Sequence, residues 1–273
     1  MKIAFIGDIV GRAGRLAIDR HLKNLKEEYS IDFVIANYEN ASHGFGLTRK
    51  NCDELLSYGI DMMSGGNHSF DKKEILEMFD EYPLIRPLNY PKDTVGRGVF
   101  KTQILGKNVV ILNLMGYYTM PMVDNPFSMI RDKVAELKSD GYKHIILDFH
   151  AESSAEKNII FQMLKKDLSA IMGTHTHIGT DDLQIDNGCC YVTDVGLTGC
   201  RDGVIGMKSD APIMNSLNGV KKHFDIDEKC ATILQMIIFE LDDNGRCIDA
   251  QKIKIYGDKR VITNAWREDL YKA

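Results

Sequence analysis

The chain has 273 residues, of which 44% are hydrophobic and 27% charged, the composition of a globular protein with enough apolar material for a core. Its formal net charge of -5 gives no electrostatic reason to expect duplex nucleic acid as a partner, although a small anionic substrate held by local metal charge is compatible with it. No stretch approaches the ~20 apolar residues of a membrane span, and the N-terminal apolar run is too short for a signal peptide, so we expect a cytoplasmic protein that makes no membrane contact.

The first part of the chain alternates apolar runs with helical patterns. The runs have the form of buried parallel strands and lie at residues 3–6, 33–37 and 60–63. Helical patterns follow them at 16–29, at 48–58 and from Ser69 onward. This alternation predicts a parallel sheet with right-handed crossovers.

The remainder of the chain ends in a pattern that indicates two antiparallel strands. Residues 83–102 read as a loop with short strands, and further strands and helices follow at 107–114, 128–139, 143–149, 154–168, 169–173, 181–185 and 191–195. Two late runs, 231–241 and 247–256, are joined through Asp242-Asp243-Asn244-Gly245, which indicates a hairpin. Parallel units followed by a hairpin predict a mixed architecture of two sheets packed between helices, in one domain spanning residues 1–273.

Polar side chains stand where the apolar runs end. They are Asp8, Glu39, Asn40, Asn67, His68, His150, His175 and His177. In a parallel sheet these residues should gather along one edge. Carboxylate, amide and imidazole together suit a first-row transition metal better than Mg²⁺ or Ca²⁺, which prefer oxygen ligands. The set is too large for one ion, whereas two ions ~3.5–4 Å apart that share a bridging carboxylate would use it.

Each of these residues also has a purely structural explanation. Asp8 could cap a turn, Glu39 and Asn40 could be solvated, and His150 could be hydrogen-bonded at a strand end. Chance placement at five strand ends is improbable, so the joint pattern favours a metal site. His43, in a glycine-rich loop, could enter that site or lie on the surface.

The motif series resembles that of the calcineurin-like metallophosphoesterases. It consists of Gly7-Asp8, Gly66-Asn67-His68, His150 and Gly173-Thr174-His175-Thr176-His177, and the match runs essentially end to end. The closer resemblance is to the bacterial YmdB-like branch, through the opening Gly7-Asp8-Ile9-Val10-Gly11 and the Glu39-Asn40 pair.

Two departures from the general superfamily sharpen this resemblance. The superfamily usually has Asp-x-His in its first motif, where this chain has Val10, and Gly-Asp in its second, where this chain has Tyr38-Glu39-Asn40. The YmdB-like branch shares both departures, which puts the ordinary ligand rules of the superfamily in doubt here.

The resemblance implies a calcineurin-like four-layer β-sandwich, in which two mixed sheets are flanked by helices. It also implies two divalent or trivalent metal ions, with iron expected and manganese the alternative. One ion would be held by Asp8, Glu39, Asn40 and His177, and the other by Glu39, Asn67, His150 and His175, with Glu39 bridging. Members of the branch act on small phosphodiesters, including 2',3'-cyclic nucleotides.

These implications predict a hydrolase. Two cations would bind a phosphate oxygen and lower the pKa of a bridging water, and the resulting hydroxide would attack phosphorus in line. His68, beside the expected ligand Asn67 but not itself a ligand, would protonate the departing alkoxide as the catalytic general acid. Tyr117, Tyr118 and Phe45 are candidates for stacking on a base.

Two rival functions remain open at this stage. A metal-dependent amidohydrolase also uses His-x-His, but ordinarily on its first strand, where this chain has Asp8. A regulatory protein could keep the metal site and bind a nucleotide or a partner, although such a protein would not need the proton donor His68. Residues 120–127 either cover the site or pack against another subunit, so a homo-oligomer is also open.

Cysteine usage supports an intracellular location. The six cysteines lack C-x-x-C spacing, which argues against structural zinc and favours free buried thiols.

Overall fold

The computed structural model describes residues 1–227 and 229–267. Within these residues the helices are α1 Gly11–Tyr29, α2 Arg49–Ser57, α3 Ile75–Glu81, α4 Pro126–Ser139, α5 Ser154–Leu164 and α6 Asp210–Asn218. The strands are β1 Lys2–Ile6, β2 Phe33–Asn37, β3 Met62–Ser64, β4 Val99–Ile104, β5 Lys107–Met115, β6 His144–His150, β7 Ala170–Thr174, β8 Gln184–Asp186, β9 Cys189–Val192, β10 Gly199–Cys200, β11 Thr232–Leu241, β12 Cys247–Tyr256, β13 Lys259–Asn264 and β14 Trp266–Arg267. The predicted end of the domain, residue 273, lies outside the described residues.

The strands form two mixed sheets. In the first sheet β1, β2 and β3 run parallel, the predicted hairpin of β11 and β12 adds antiparallel to β1, and the strand order is β13-β12-β11-β1-β2-β3 with β10 paired to β11. The second sheet has the order β14-β8-β9-β7-β6-β5-β4, with β5, β6, β7 and β9 parallel. The predicted fold class is confirmed.

Side-chain alternation along β1 explains the four layers. Ile3 and Phe5 point into an apolar layer between the two sheets, while Ala4 and Ile6 face the helices that cover the first sheet. A third cluster joins the outer face of the second sheet to α4 and α5. The parallel strands of each sheet are buried on both faces, as their nearly continuous apolar runs require.

Two predicted helix starts are wrong. Helix α1 begins at Gly11 rather than near residue 16. Its first turn packs closely against Thr198, as Gly14 shows: a Cβ there would stand only 2.3 Å from the Thr198 carbonyl oxygen. The helix expected from Ser69 begins at Ile75. Hydrogen bonds hold the chain before it in turns, among them the one from Gly66 N to Ser69 Oγ.

The expectation of six free thiols is also wrong. Cys52, Cys189, Cys190 and Cys247 are free and buried, but Cys200 and Cys230 form a disulfide, with Cα atoms 5.7 Å apart. Residues so far apart in sequence meet because β10 pairs with the start of β11. No helix of the described ranges could cross a membrane; the cytoplasmic location stays a prediction.

Candidate metal centre

The predicted ligands converge from both sheets. Asp8 follows β1 and the pair Glu39-Asn40 follows β2, both in the first sheet, whereas His150 ends β6 and the His175-Thr176-His177 segment follows β7 in the second sheet. The expectation that the ligands gather along the edge of one sheet is therefore wrong in detail. The ligands instead meet where the carboxyl ends of two stacked sheets face each other.

One group of potential ligands surrounds His150 Nε2. This atom lies 3.1 Å from Glu39 Oε2, 3.0 Å from Asn67 Oδ1 and 3.1 Å from His175 Nδ1. His150 and Glu39 are fully buried, and Asn67 and His175 are partly exposed. The four atoms form a compact set of nitrogen and oxygen donors.

A second group adjoins the first and shares Glu39. Ligand atoms of Asp8, Glu39 and His177 all lie within 4.8 Å of one another. Asn40 Oδ1 joins this group, 3.2 Å from His177 Nε2. The structure therefore brings together all seven residues that the sequence suggested as ligands, in two groups with a common carboxylate.

The hydrogen bonds of His150 fix which of its ring nitrogens faces the site. Nδ1 lies 2.9 Å from Thr174 Oγ1, and the Thr174 hydroxyl donates to Asp148 Oδ1 at 2.7 Å. Because that hydroxyl proton goes to Asp148, Nδ1 must carry a proton and donate to Thr174. Nε2 therefore faces Glu39 and Asn67 and offers a lone pair when the ring is neutral, which is the arrangement of a metal-binding histidine.

The same arrangement holds for the other two histidines. His177 Nδ1 donates to the carbonyl oxygen of Ile205 at 2.8 Å, which leaves Nε2 as the acceptor. His175 Nε2 lies 3.1 Å from Glu152 Oε2, which leaves Nδ1 facing the first group. Each ring is held by an acceptor on its outer nitrogen and offers a lone pair inward.

The donor chemistry fits cations. His150 Nε2 and His175 Nδ1 face each other 3.1 Å apart, beside the Glu39 carboxylate and the Asn67 carbonyl, and a bound cation would take the place of the proton that His150 carries there in the metal-free protein. Such a concentration of acceptors is repulsive unless positive charge lies among them. Gly66 keeps this space open, since a Cβ there would stand 2.2 Å from Glu39 Oε2 and 2.4 Å from His150 Nε2.

Burial and mutual charge shift the pKa values in the metal-free protein. Burial raises the pKa of Asp8 to about 6. Burial would also raise that of Glu39, but the neighbouring His150 and His68 lower it to about 2. Burial lowers the pKa of His150, yet Glu39 outweighs it and raises the value to about 8, whereas burial and the nearby His150 lower that of His175 to about 3.

His68 lies beside the ligands, but its ring contacts Asp71 rather than the ligand groups. Its backbone N–H donates to Glu39 Oε2 at 3.1 Å, and its Nδ1 lies 2.8 Å from Asp71 Oδ2, so Asp71 orients the ring. The half-exposed ring lines a cleft of about 330 Å³, which we call the metal cleft. The cleft is bounded by Glu39, Asn40, Phe45, His68, Glu152, His175, Thr176, His177, Ile205, Met207 and Phe224.

Only one of the three predicted stacking residues borders the metal cleft. Phe45 lines it, with its ring centroid 4.9 Å from that of His68. Tyr117 and Tyr118 are exposed and lie against each other outside the lining residues, as far as the described chain shows. His43 lies exposed in an adjoining cavity of about 620 Å³.

Two buried carboxylates that support the site escaped the sequence analysis. Asp148 accepts hydrogen bonds from Thr174, Ser64 and Asn37, so it ties the His150 ring to the first sheet. A signal for it exists in the sequence, because it is a carboxylate inside the apolar run of β6, two residues before His150 and therefore on the same face.

Asp194 holds the His175-Thr176-His177 turn. Its Oδ2 accepts from Thr176 N at 3.1 Å, from Thr176 Oγ1 at 2.8 Å and from Lys157 Nζ at 2.8 Å. His175 and His177 have φ values of 98° and 66°, a left-handed conformation that costs non-glycine residues of order 1–3 kcal/mol each. The fully buried pair of Lys157 and Asp194 supplies the fixed contacts that such a backbone needs.

Asp194→Asn is expected to lower metal affinity about 10–100-fold, the usual effect of disturbing a residue that positions a ligand. An amide would place N–H groups against the Lys157 ammonium and loosen the turn. Asp186→Asn is the matched control. Asp186 forms an ion pair with Lys165, with 2.6 Å between Oδ2 and Nζ, and this pair does not contact the ligands. Mn²⁺ titration should separate the two variants; equal affinities would contradict a positioning role for Asp194.

Comparisons with known proteins agree with the geometry. A family model described as "YmdB-like protein" matches residues 4–253. The chain is 37% identical over 260 residues to the "2',3'-cyclic-nucleotide 2'-phosphodiesterase" of Bacillus subtilis strain 168, covering 94% of this chain and 98% of that protein.

Solved structures of similar chains share the fold. A structure titled as a novel phosphatase from Mycoplasma pneumoniae has a TM-score of 0.87 and 31% identity, covering 100% of this chain and 96% of that one. A hypothetical protein from Thermus thermophilus has a TM-score of 0.86 and 30% identity, covering 97% of this chain and 100% of that one.

Proposed function

The chain belongs to the YmdB-like protein family, and on that premise we propose that it is a metallophosphoesterase that hydrolyses small phosphodiesters, with 2',3'-cyclic nucleotides as its substrates. The observation that carries this proposal is the pair of ligand groups sharing Glu39 at the base of the metal cleft. The printed name of the Bacillus subtilis relative supports the substrate class.

Two metal ions fit the two groups. Asp8, Glu39, Asn40 and His177 would hold one, and Glu39, Asn67, His150 and His175 the other. When bound, such ions supply Lewis-acid stabilisation of phosphate charge and a nucleophile from water near neutral pH. Mixed nitrogen and oxygen donors favour a first-row transition metal, and we propose iron, with manganese as the alternative.

The chain's own residues perform the remaining tasks. His68 sits at the edge of the ligand groups, and Asp71 on Nδ1 directs its other nitrogen as proton donor to the leaving oxygen. The backbone N–H of the same residue orients Glu39, so the acid and the shared carboxylate are fixed relative to each other. Burial of Asp8, Glu39 and His150 excludes water from the base of the site and strengthens electrostatic interactions there.

The direct test is turnover by purified protein. Metal-free protein, and protein restored with Fe²⁺ or Mn²⁺, would be assayed on 2',3'-cyclic AMP and on bis-p-nitrophenyl phosphate. We expect hydrolysis of both that depends on added metal. If the metal-loaded protein hydrolyses neither these nor other phosphate esters, the enzyme proposal is wrong. The alternative, a regulatory nucleotide- or partner-binding protein, would then take its place.

Metal uptake is expected to strengthen as the pH rises from about 6 to about 8. Glu39 holds the pKa of His150 at about 8 in the metal-free protein, so below that pH a cation must displace a proton from this ring. One displaced proton makes affinity rise about tenfold per pH unit, with a plateau above the pKa. Apparent Kd values for Mn²⁺ across this range test the point; a pH-independent Kd would contradict it.

A further inference from the structure

Phe45 forms the wall of the metal cleft next to His68. Their ring centroids are 4.9 Å apart at an interplanar angle of 71°, so one ring meets the other edge-on. Phe45 is partly exposed, whereas its chain neighbours Gly44 and Gly46 are buried. Part of the Phe45 ring is therefore accessible from the cleft, between two buried glycines.

The loop that carries Phe45 is held by the proposed ligands that precede it. Gly46 N donates to the Glu39 carbonyl oxygen at 2.5 Å, and Asn40 Nδ2 donates to the Gly44 carbonyl oxygen at 2.8 Å. Ser42 N also donates to the Gly46 carbonyl oxygen at 2.9 Å. A ring fixed in this way loses little conformational entropy when a ligand stacks on it.

Two further aromatic side chains, in the segment at residues 223–226, lie near this loop. The His223 ring lies 6.3 Å from that of Phe45, and Phe224 lines both the metal cleft and the adjoining cavity. The same segment contacts the loop through Ile226, since a Cβ on Gly44 would stand 3.4 Å from Ile226 Cγ1. Phe45 and Phe224 thus both border the metal cleft with His68, and His223 borders the adjoining cavity.

The position of the general acid determines where a nucleoside must lie. The acid contacts the leaving oxygen, and in a nucleoside 2',3'-cyclic phosphate that oxygen belongs to the ribose that carries the base. The ribose and base therefore occupy the side of the cleft where His68 stands, and Phe45 forms the wall there.

We propose that Phe45, together with Phe224, forms a stacking subsite for the base of a nucleoside 2',3'-cyclic phosphate. The inference rests on the proposed function. It adds a contact with the base, the group that distinguishes nucleotides from other small phosphodiesters. Stacking uses the flat face common to all bases, so the subsite accepts purines and pyrimidines and favours the larger purines.

The first test compares two cyclic phosphodiesters, one with a base and one without. 2',3'-cyclic AMP and glycerol 1,2-cyclic phosphate both contain the five-membered cyclic phosphate, so the ratio of their kcat/KM values reports the contribution of the nucleoside, and the change of that ratio in a Phe45 variant reports the contact of Phe45. Phe45→Ala should reduce the preference for the nucleotide about tenfold, the scale of one lost stacking contact. Phe45→Trp should restore it.

Phe33→Ala is the matched control. Phe33 is also half-buried, but it lies at the start of β2, at the opposite end of the strand that leads to Glu39. This variant should keep the wild-type preference. An unchanged preference in Phe45→Ala, or equal losses in Phe33→Ala, would overturn the subsite.

A second test needs no turnover. Binding of adenosine, which lacks phosphate, would be measured by ligand-observed NMR on wild type, Phe45→Ala and Phe33→Ala. If wild type binds adenosine through Phe45 yet hydrolyses neither diester, the subsite stands and the proposed function fails. If both diesters are hydrolysed without preference and adenosine binding does not depend on Phe45, the hydrolase stands and the subsite fails.

Discussion

Replacing Gly66 by Ala is expected to remove bound metal and hydrolytic activity together while the protein stays folded. The new methyl group would stand 2.2 Å from Glu39 Oε2 and 2.4 Å from His150 Nε2, inside the space that the ligands surround. Neither side chain can move aside freely, because both are fully buried and closely packed. We expect metal affinity to fall by at least about 100-fold, the upper range for a disturbed ligand shell.

Metal content by mass spectrometry and Mn²⁺ titration measure this effect, with thermal unfolding as the check on folding. Gly106→Ala is the control, since a Cβ there meets no atom within 4 Å and the residue lies in the turn between β4 and β5. Its φ of 76° costs about 1 kcal/mol of stability with a side chain, without an effect on the ligands. A Gly66→Ala protein with full metal content and wild-type activity would refute this account of the site.

His68→Ala is expected to lower kcat on 2',3'-cyclic AMP by about 10²–10⁴-fold while metal content is unchanged. The ring contacts Asp71 and Phe45 rather than the ligand groups, and the backbone N–H that binds Glu39 survives the substitution. The loss would therefore be one of proton donation to the leaving alkoxide.

The leaving group discriminates this role from a structural one. p-Nitrophenolate departs without a proton, so the same variant should lose about tenfold or less on bis-p-nitrophenyl phosphate, below the usual contribution of a general acid. Asp71→Asn should give an intermediate loss on the cyclic nucleotide, since it weakens the orientation of the ring. Equal losses on both substrates, or loss of metal, would show that His68 does not act as the acid.

Local sequence patterns located most of the longer strands and the residues of the site, but not helix α6 or strand β13. Asp8, Glu39 and His150 each follow or end an apolar run that forms a strand, so position along the chain predicted their place at strand ends. The predicted YmdB-like family and the two mixed sheets are confirmed as well. The roles assigned to individual site residues stay predictions.

What the sequence could not supply depends on contacts between distant segments. That Asp8 and His150 belong to different sheets follows from strand pairing, which leaves no local signal. Asp194 binds Thr176 and Lys157 only because separate loops and helices meet, so its polar type alone did not mark it. The start predicted at Ser69 was wrong because local hydrogen bonds, such as Gly66 N to Ser69 Oγ, hold that segment in turns, while His68 N donates to Glu39 Oε2.

The central claim is a dinuclear metal centre with Glu39 as the shared ligand, and anomalous X-ray diffraction from crystals of manganese- or iron-loaded protein tests it most directly. The account predicts two anomalous peaks ~3.5–4 Å apart on either side of the Glu39 carboxylate. Of these, one would lie against Asp8 and His177 and the other against His150 and His175. A single peak, or metal bound elsewhere with these side chains unchanged, would contradict it.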